Sequence, residues 1–106
     1  MVPKPKIYIS LPITGQESKA REKADRIKAA LSKKGYEAVS PFDIYAGKDP
    51  DYEDHLCFDL RAMMECDIVY FCQGWDRSCG CGIEHDVAMR MKAYGKKDFK
   101  VMYEPI

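Results

Sequence analysis

The chain has no surplus of charge of either sign: Lys plus Arg and Asp plus Glu number 17 each, so the formal net charge is zero. A protein that grips nucleic acid through its phosphates needs excess cations to displace counterions, so a sequence-blind binder of a nucleic-acid polymer is excluded. A small phosphorylated ligand needs only a local site and is not excluded. Long apolar runs are missing too. The stretch Met1 to Lys6 holds two lysines and two prolines. The apolar run behind it is too short for a signal peptide and far too short to cross a bilayer. No membrane partner is expected, and the cytoplasm is the expected setting. The chain also lacks the even, spaced cysteines of a secreted disulfide framework: Cys57, Cys66, Cys72, Cys79 and Cys81 make five, and the last two are separated by one residue. Repeats, low-complexity stretches and linkers are absent. The 106 residues therefore read as one domain, 1–106, with one modest core.

What is present is an ordinary globular composition, 46% hydrophobic and 32% charged, which argues against disorder. Strand and helix patterns alternate along it. Lys6 to Ser10 is short and β-rich, bounded by Pro5 and Pro12, and reads as a first strand. Ala20, Ala24, Ile27 and Leu31 recur at helical spacing with Lys and Arg on the other face, and Gly35 sits where a glycine ends a helix. Tyr36 to Val39 is a second strand. A loop is expected from Pro41 to about Pro50. Leu56, Leu60, Met63 and Met64 mark a second amphipathic helix. The continuous apolar run Ile68 to Cys72 predicts a strand covered on both faces. Gln73 to Gly82 reads as a glycine-containing loop. Glu84, Val87, Ala88 and Met91 share a face of a third helix that ends at Gly95, and Phe99 to Tyr103 is a last strand. Such alternation implies right-handed crossovers. The expected fold is α/β: a three-layer, flavodoxin- or Rossmann-like, mainly parallel sheet of four to five strands in an order near 2-1-3-4. Ligands bind such sheets beyond the carboxyl ends of the strands, where the order reverses. That crevice is flanked by Ser10 to Gly15 and by Gln73 to Gly82.

The second of these segments carries the most chemistry. Gly80 and Gly82 let the backbone approach a ligand, and Ser78 with the nearby amides leads into a helix N-terminus, a ready anion site. Glu84 is expected in the first turn of that helix. The same residues also read as a flexible turn followed by an acid that offsets the helix dipole. Ser10 to Gly15, with Ile13 at its centre, is a second candidate, although short glycine turns at strand ends are common. Cys79, Cys81 and His85 invite a metal reading. Zinc, however, needs about four ligands, usually with C-x₂₋₄-C spacing, so no metal is expected. Cys79 and Cys81 read as small loop residues, and Cys57, Cys66 and Cys72 as core thiols. His85 reads as a surface or interface residue, and Asp67 as a cap or turn residue. Asp59 falls between the apolar positions of the second helix, either at the surface or reaching the crevice.

Four segments together resemble the nucleoside 2-deoxyribosyltransferase-like family, which includes 5′-monophosphate deoxynucleoside N-glycosidases. They are Ile7 to Ser10 with Gly15, Ser40 to Asp43, Asp59 to Asp67, and Ser78-x-Gly80-x-Gly82-x-Glu84 with Ala88. The likeness covers nearly the whole chain and looks closest to a compact bacterial and phage branch. It implies that Glu84 attacks C1′ of the sugar and displaces the base, giving a covalent glycosyl-enzyme that water or a second base resolves. It implies that Tyr8 orients Glu84, that Asp59 contacts the sugar or helps the base to leave, and that Ser78 and Gly80 contact a 5′-phosphate. Ser10, Ile13, Gly15 and Gly82 complete the expected substrate-binding set. The resemblance calls for no cofactor. It implies a nucleoside or nucleotide ligand and a homodimer or larger assembly in which a neighbour completes the site. Two positions depart from the family pattern. Asp86 stands where a glycine is common, and Ile83 where an aromatic residue is. A nucleotide-binding sensor without catalysis is the alternative reading.

Overall fold

The computed structural model describes residues 3–44, 52–96 and 98–105, with backbone only at 52–54. Four strands, β1 (Lys6–Ser10), β2 (Glu37–Val39), β3 (Ile68–Phe71) and β4 (Lys100–Tyr103), form one sheet in the order β2-β1-β3-β4. Every neighbouring pair is parallel, with Ile7 opposite Ala38 and Ile68, and Val69 opposite Val101. The expected strand order is therefore the observed one. Asp67 helps fix the register of the central pair: its carboxylate accepts from the Lys6 backbone N–H at 2.9 Å, just ahead of β3.

Alternation along β1 and β3 divides the interior into two cores, as the period of two requires. Ile7, Ile9, Ile68 and Cys72 pack with Ala20, Ala24 and Leu31 of α1 (Glu17–Lys33). Tyr8, Val69 and Phe71 face the other way, against Met63 of α3 (Tyr52–Met64) and Ala88 of α4 (Cys79–Arg90). Helices thus cover both faces, giving three layers. Among the described residues, no helix is long and apolar enough to cross a membrane.

Gly35 ends α1 as expected. Its φ is +95°, and the bonds from Tyr36 N–H to the Leu31 carbonyl and from Gly35 N–H to the Ser32 carbonyl, both 3.1 Å, close the turn. A Cβ at Gly35 would meet nothing within 4 Å, so its substitution probes the backbone alone. Gly35→Ala is expected to cost about 1 kcal/mol, the penalty of a left-handed L-residue. The urea midpoint measures it, and an unchanged midpoint would contradict the assignment.

Several local expectations need correction. Pro41–Ile44 is not loop but a one-turn helix, α2, and the remainder of the expected loop, 45–50, lies outside the described residues. Residues 73–82 are not a continuous loop. A 3₁₀ turn occupies Trp75–Arg77, and α4 begins at Cys79. Ser78 caps it, its Oγ accepting from Cys81 N–H at 3.3 Å, and this cap outweighs the poor helix propensity of Gly80 and Gly82. Cys79 and Cys81 are therefore helical, and Cys81 is buried. Cys57 is exposed rather than core, because Leu56, Leu60 and Met63 define the inward face of α3 and Cys57 lies a third of a turn away. Met64 is half-exposed for the same reason.

Candidate functional site

The early start of α4 changes the place of Glu84. It lies in the second turn of the helix rather than the first, and it points inward, only 5% exposed. Two side chains of β1 meet it there. Tyr8 Oη donates to Glu84 Oε2 at 2.6 Å, and Ser10 Oγ donates to Glu84 Oε1 at 2.8 Å. Tyr8 and Ser10 share the strand face toward α4 because they are two residues apart, and both are fully buried.

Burial and hydrogen bonding pull the carboxyl in opposite directions. Each hydrogen bond to an ionised group contributes about 1.5–3 kcal/mol. Withdrawing a carboxylate from water costs several kcal/mol. Burial wins: the Glu84 pKa lies above the usual range, with the Tyr8 and Ser10 hydroxyls holding it back. Tyr8 is pushed well above its usual value, by burial first and by the charge of Glu84 second, so it remains a hydrogen donor.

Glu84 opens onto a cleft of about 760 Å³ beyond the carboxyl ends of β1 and β3, where the strand order reverses. One wall is the segment after β1, with Leu11, Ile13, Thr14 and Glu17. The opposite wall is the start of α4, with Ser78 and Gly80. Phe42 of α2 and His55, Leu56 and Asp59 of α3 close the third side. Asp59 is pushed up to about 7, by burial first and by the negative charge of Glu84 second. Besides Glu17 at its wall, the cleft therefore holds two carboxyls raised by burial, Glu84 almost sealed and Asp59 partly open.

The structure thus brings together Glu84, Asp59, Ile13, Ser78 and Gly80 around one space, with Tyr8 and Ser10 behind Glu84. Gly15 and Gly82 do not line it. Neither Gly80 nor Gly82 has a positive φ, so the helix needs glycine at neither for conformation, and at Gly82 a Cβ meets nothing within 4 Å, so it does not need glycine there for space either. His85 is engaged elsewhere. It stacks on Trp75 with ring centroids 4.0 Å apart, and its Nε2 lies 2.7 Å from Tyr103 Oη. Among the described residues, no three His, Cys, Asp or Glu side chains converge as a metal site would require.

Sequence reading missed Arg77, His55 and Phe42. Arg77 carried no signal in the pattern, and Phe42 only its place within the Ser40 to Asp43 segment. His55 did, because it stands four residues before Asp59 and so shares its helix face. Residues 5–96 match the family described as a domain of unknown function (DUF4406), and the chain belongs to that family. No curated protein matches it.

Proposed function

We propose that this member of the DUF4406 family cleaves or transfers the N-glycosidic bond of a (deoxy)nucleoside or its 5′-monophosphate, through a glycosyl ester on Glu84. The observation that carries the reading is the Glu84 carboxylate, sealed on the sheet side, gripped by Tyr8 and Ser10, and facing a cleft at the strand-order reversal. The resemblance to the nucleoside 2-deoxyribosyltransferase-like family supports the same assignment.

In this mechanism the ionised Glu84 attacks C1′. The C1′–O bond forms as the C1′–N bond breaks, and the bonding pair leaves with the base. Asp59, protonated below about pH 7, supplies the proton that the departing nitrogen takes up. Water then adds to C1′, or a second base does, returning a proton to Asp59 and freeing Glu84, with overall retention. The hydroxyls of Tyr8 and Ser10 fix the direction of the nucleophile and stabilise its charge before reaction. Ser78 and the first amides of α4 suit a 5′-phosphate, since a helix N-terminus favours an anion. The five free thiols suit a reducing, cytoplasmic setting.

The test is chromatographic detection of free base from a panel of deoxynucleosides and their 5′-monophosphates, with and without an acceptor base. Release identifies the chemistry, and acceptor dependence separates transfer from hydrolysis. Binding without release from any member would replace the enzyme by a nucleotide sensor on the same cleft.

Tyr8→Phe is expected to slow release about 10- to 100-fold without abolishing it. The change removes one hydrogen bond to a charged group, worth about one to two factors of ten. That bond also lowers the Glu84 pKa, so the deficit should be larger on the acid side of the rate profile. A rate unchanged at every pH would remove Tyr8 from the site.

A further inference from the structure

A second recess, of about 320 Å³, lies beside the cleft and shares Leu11 and Arg77 with it. Its cationic lining is Lys19 and Lys23 of α1 and Arg77 of the 3₁₀ turn, and no carboxylate among the described residues lines it. Lys23 is already committed, since its Nζ lies 2.7 Å from Glu104 Oε1. Lys19 and Arg77 have no ion-pair partner among the described residues. Gly74 shapes the recess. Its φ is +91°, and a Cβ there would lie 3.4 Å from Pro12 Cγ, so the loop after β3 is seated against the loop after β1.

Both cations line one pocket, so an anion held there is attracted by the two charges together. Arg77 immediately precedes Ser78, the cap of α4, so the basic recess continues the line of the anion-favouring helix end. The geometry points to an oligophosphate ligand: we propose that the recess takes the second phosphate of a nucleoside diphosphate or longer chain, with Arg77 bridging the two cavities and Lys19 reading the distal group. This rests on the nucleotide reading of the cleft and extends it to longer phosphate chains, since a monophosphate would leave the recess unused.

The experiment is calorimetric titration of the whole protein with deoxynucleoside monophosphates, the matching diphosphates and inorganic pyrophosphate. Lys19→Ala is compared with Lys33→Ala, an exposed lysine at the far end of the same helix. The diphosphate is expected to bind about tenfold tighter than the monophosphate, a difference of about 1.4 kcal/mol. Lys19→Ala should remove most of that gain and leave the monophosphate affinity within about twofold, while Lys33→Ala changes neither. Equal affinities for the two nucleotides, a gain that survives Lys19→Ala, or an equal loss in Lys33→Ala would each overturn the proposal. If no nucleotide binds, the nucleotide reading fails by itself, and pyrophosphate then decides the recess. Pyrophosphate binding weakened by Lys19→Ala upholds the anion site, and its absence overturns it.

Discussion

Replacing Glu84 with glutamine should lower base release by at least about a thousandfold, the scale of losing a covalent nucleophile. Glutamine is the informative change because Glu84 is buried against two hydroxyls. Alanine would leave Tyr8 Oη and Ser10 Oγ without their partner and cost about 1–3 kcal/mol for each buried group so exposed, confusing folding with chemistry. Glutamine keeps the shape, and both hydroxyls can turn to meet it. It also carries no charge. A carboxyl whose folded pKa is raised favours folding when protonated and loses that contribution as pH rises through the folded value. Glu84 is such a group, so at alkaline pH the glutamine variant should unfold at a higher temperature than the parent. Rate loss together with equal or higher stability identifies a functional acid held at a structural cost. Full activity in the variant would end the proposed mechanism.

Asp59→Asn should separate the second carboxyl from the first. The rate is expected to fall about 10²- to 10⁴-fold, as for loss of a general acid, and the alkaline limb of the profile near pH 7 should disappear. Stability should move the other way. The folded pKa of about 7 lies above the ordinary 3.8, so the native state binds this proton more tightly than the unfolded chain. The group therefore favours folding below its ordinary pKa, and that help is gone once pH passes about 7. Asparagine has no proton to lose. Because Asp59 is partly exposed, solvent screening limits the expected gain at about pH 8 to about 1 kcal/mol, or about 4–8 °C in the thermal midpoint. The gain should vanish in acid. Identical thermal midpoints at both pH values would show that Asp59 is not held protonated, and the proton donor would have to be sought elsewhere.

The fold was legible because its signals are regional. The apolar runs Ile7 to Ile9 and Ile68 to Cys72 can be buried on both sides only by a covered parallel sheet, and the helical spacing from Ala20 to Leu31 supplies one cover. The reversal crevice follows from strand order and needs no side-chain detail. The start of α4 was not legible, because two glycines read as helix breakers while the Ser78 cap that overrules them depends on backbone geometry. That misplacement mattered. In a first turn, Glu84 would sit at the helix mouth, but six residues past the cap it faces inward to Tyr8 and Ser10. Asp59 was visible only as an acid among apolar neighbours. Its tie to Glu84 is a tertiary fact. Arg77 gave no sign at all, since a lone arginine in a loop gains meaning only from the two cavities it divides.

The contacts that define the Glu84 environment span 76 and 74 positions of chain. No local segment can make them by itself, because pairings of such separation must first bear the entropy of closing a long loop. While the sheet is incomplete, Glu84 is an ordinary surface acid in water. Its anomalous hold on a proton therefore arrives only when β1 and α4 meet, and proton uptake during refolding of Asp59→Asn, which lacks the other proton-binding carboxyl, would time that meeting.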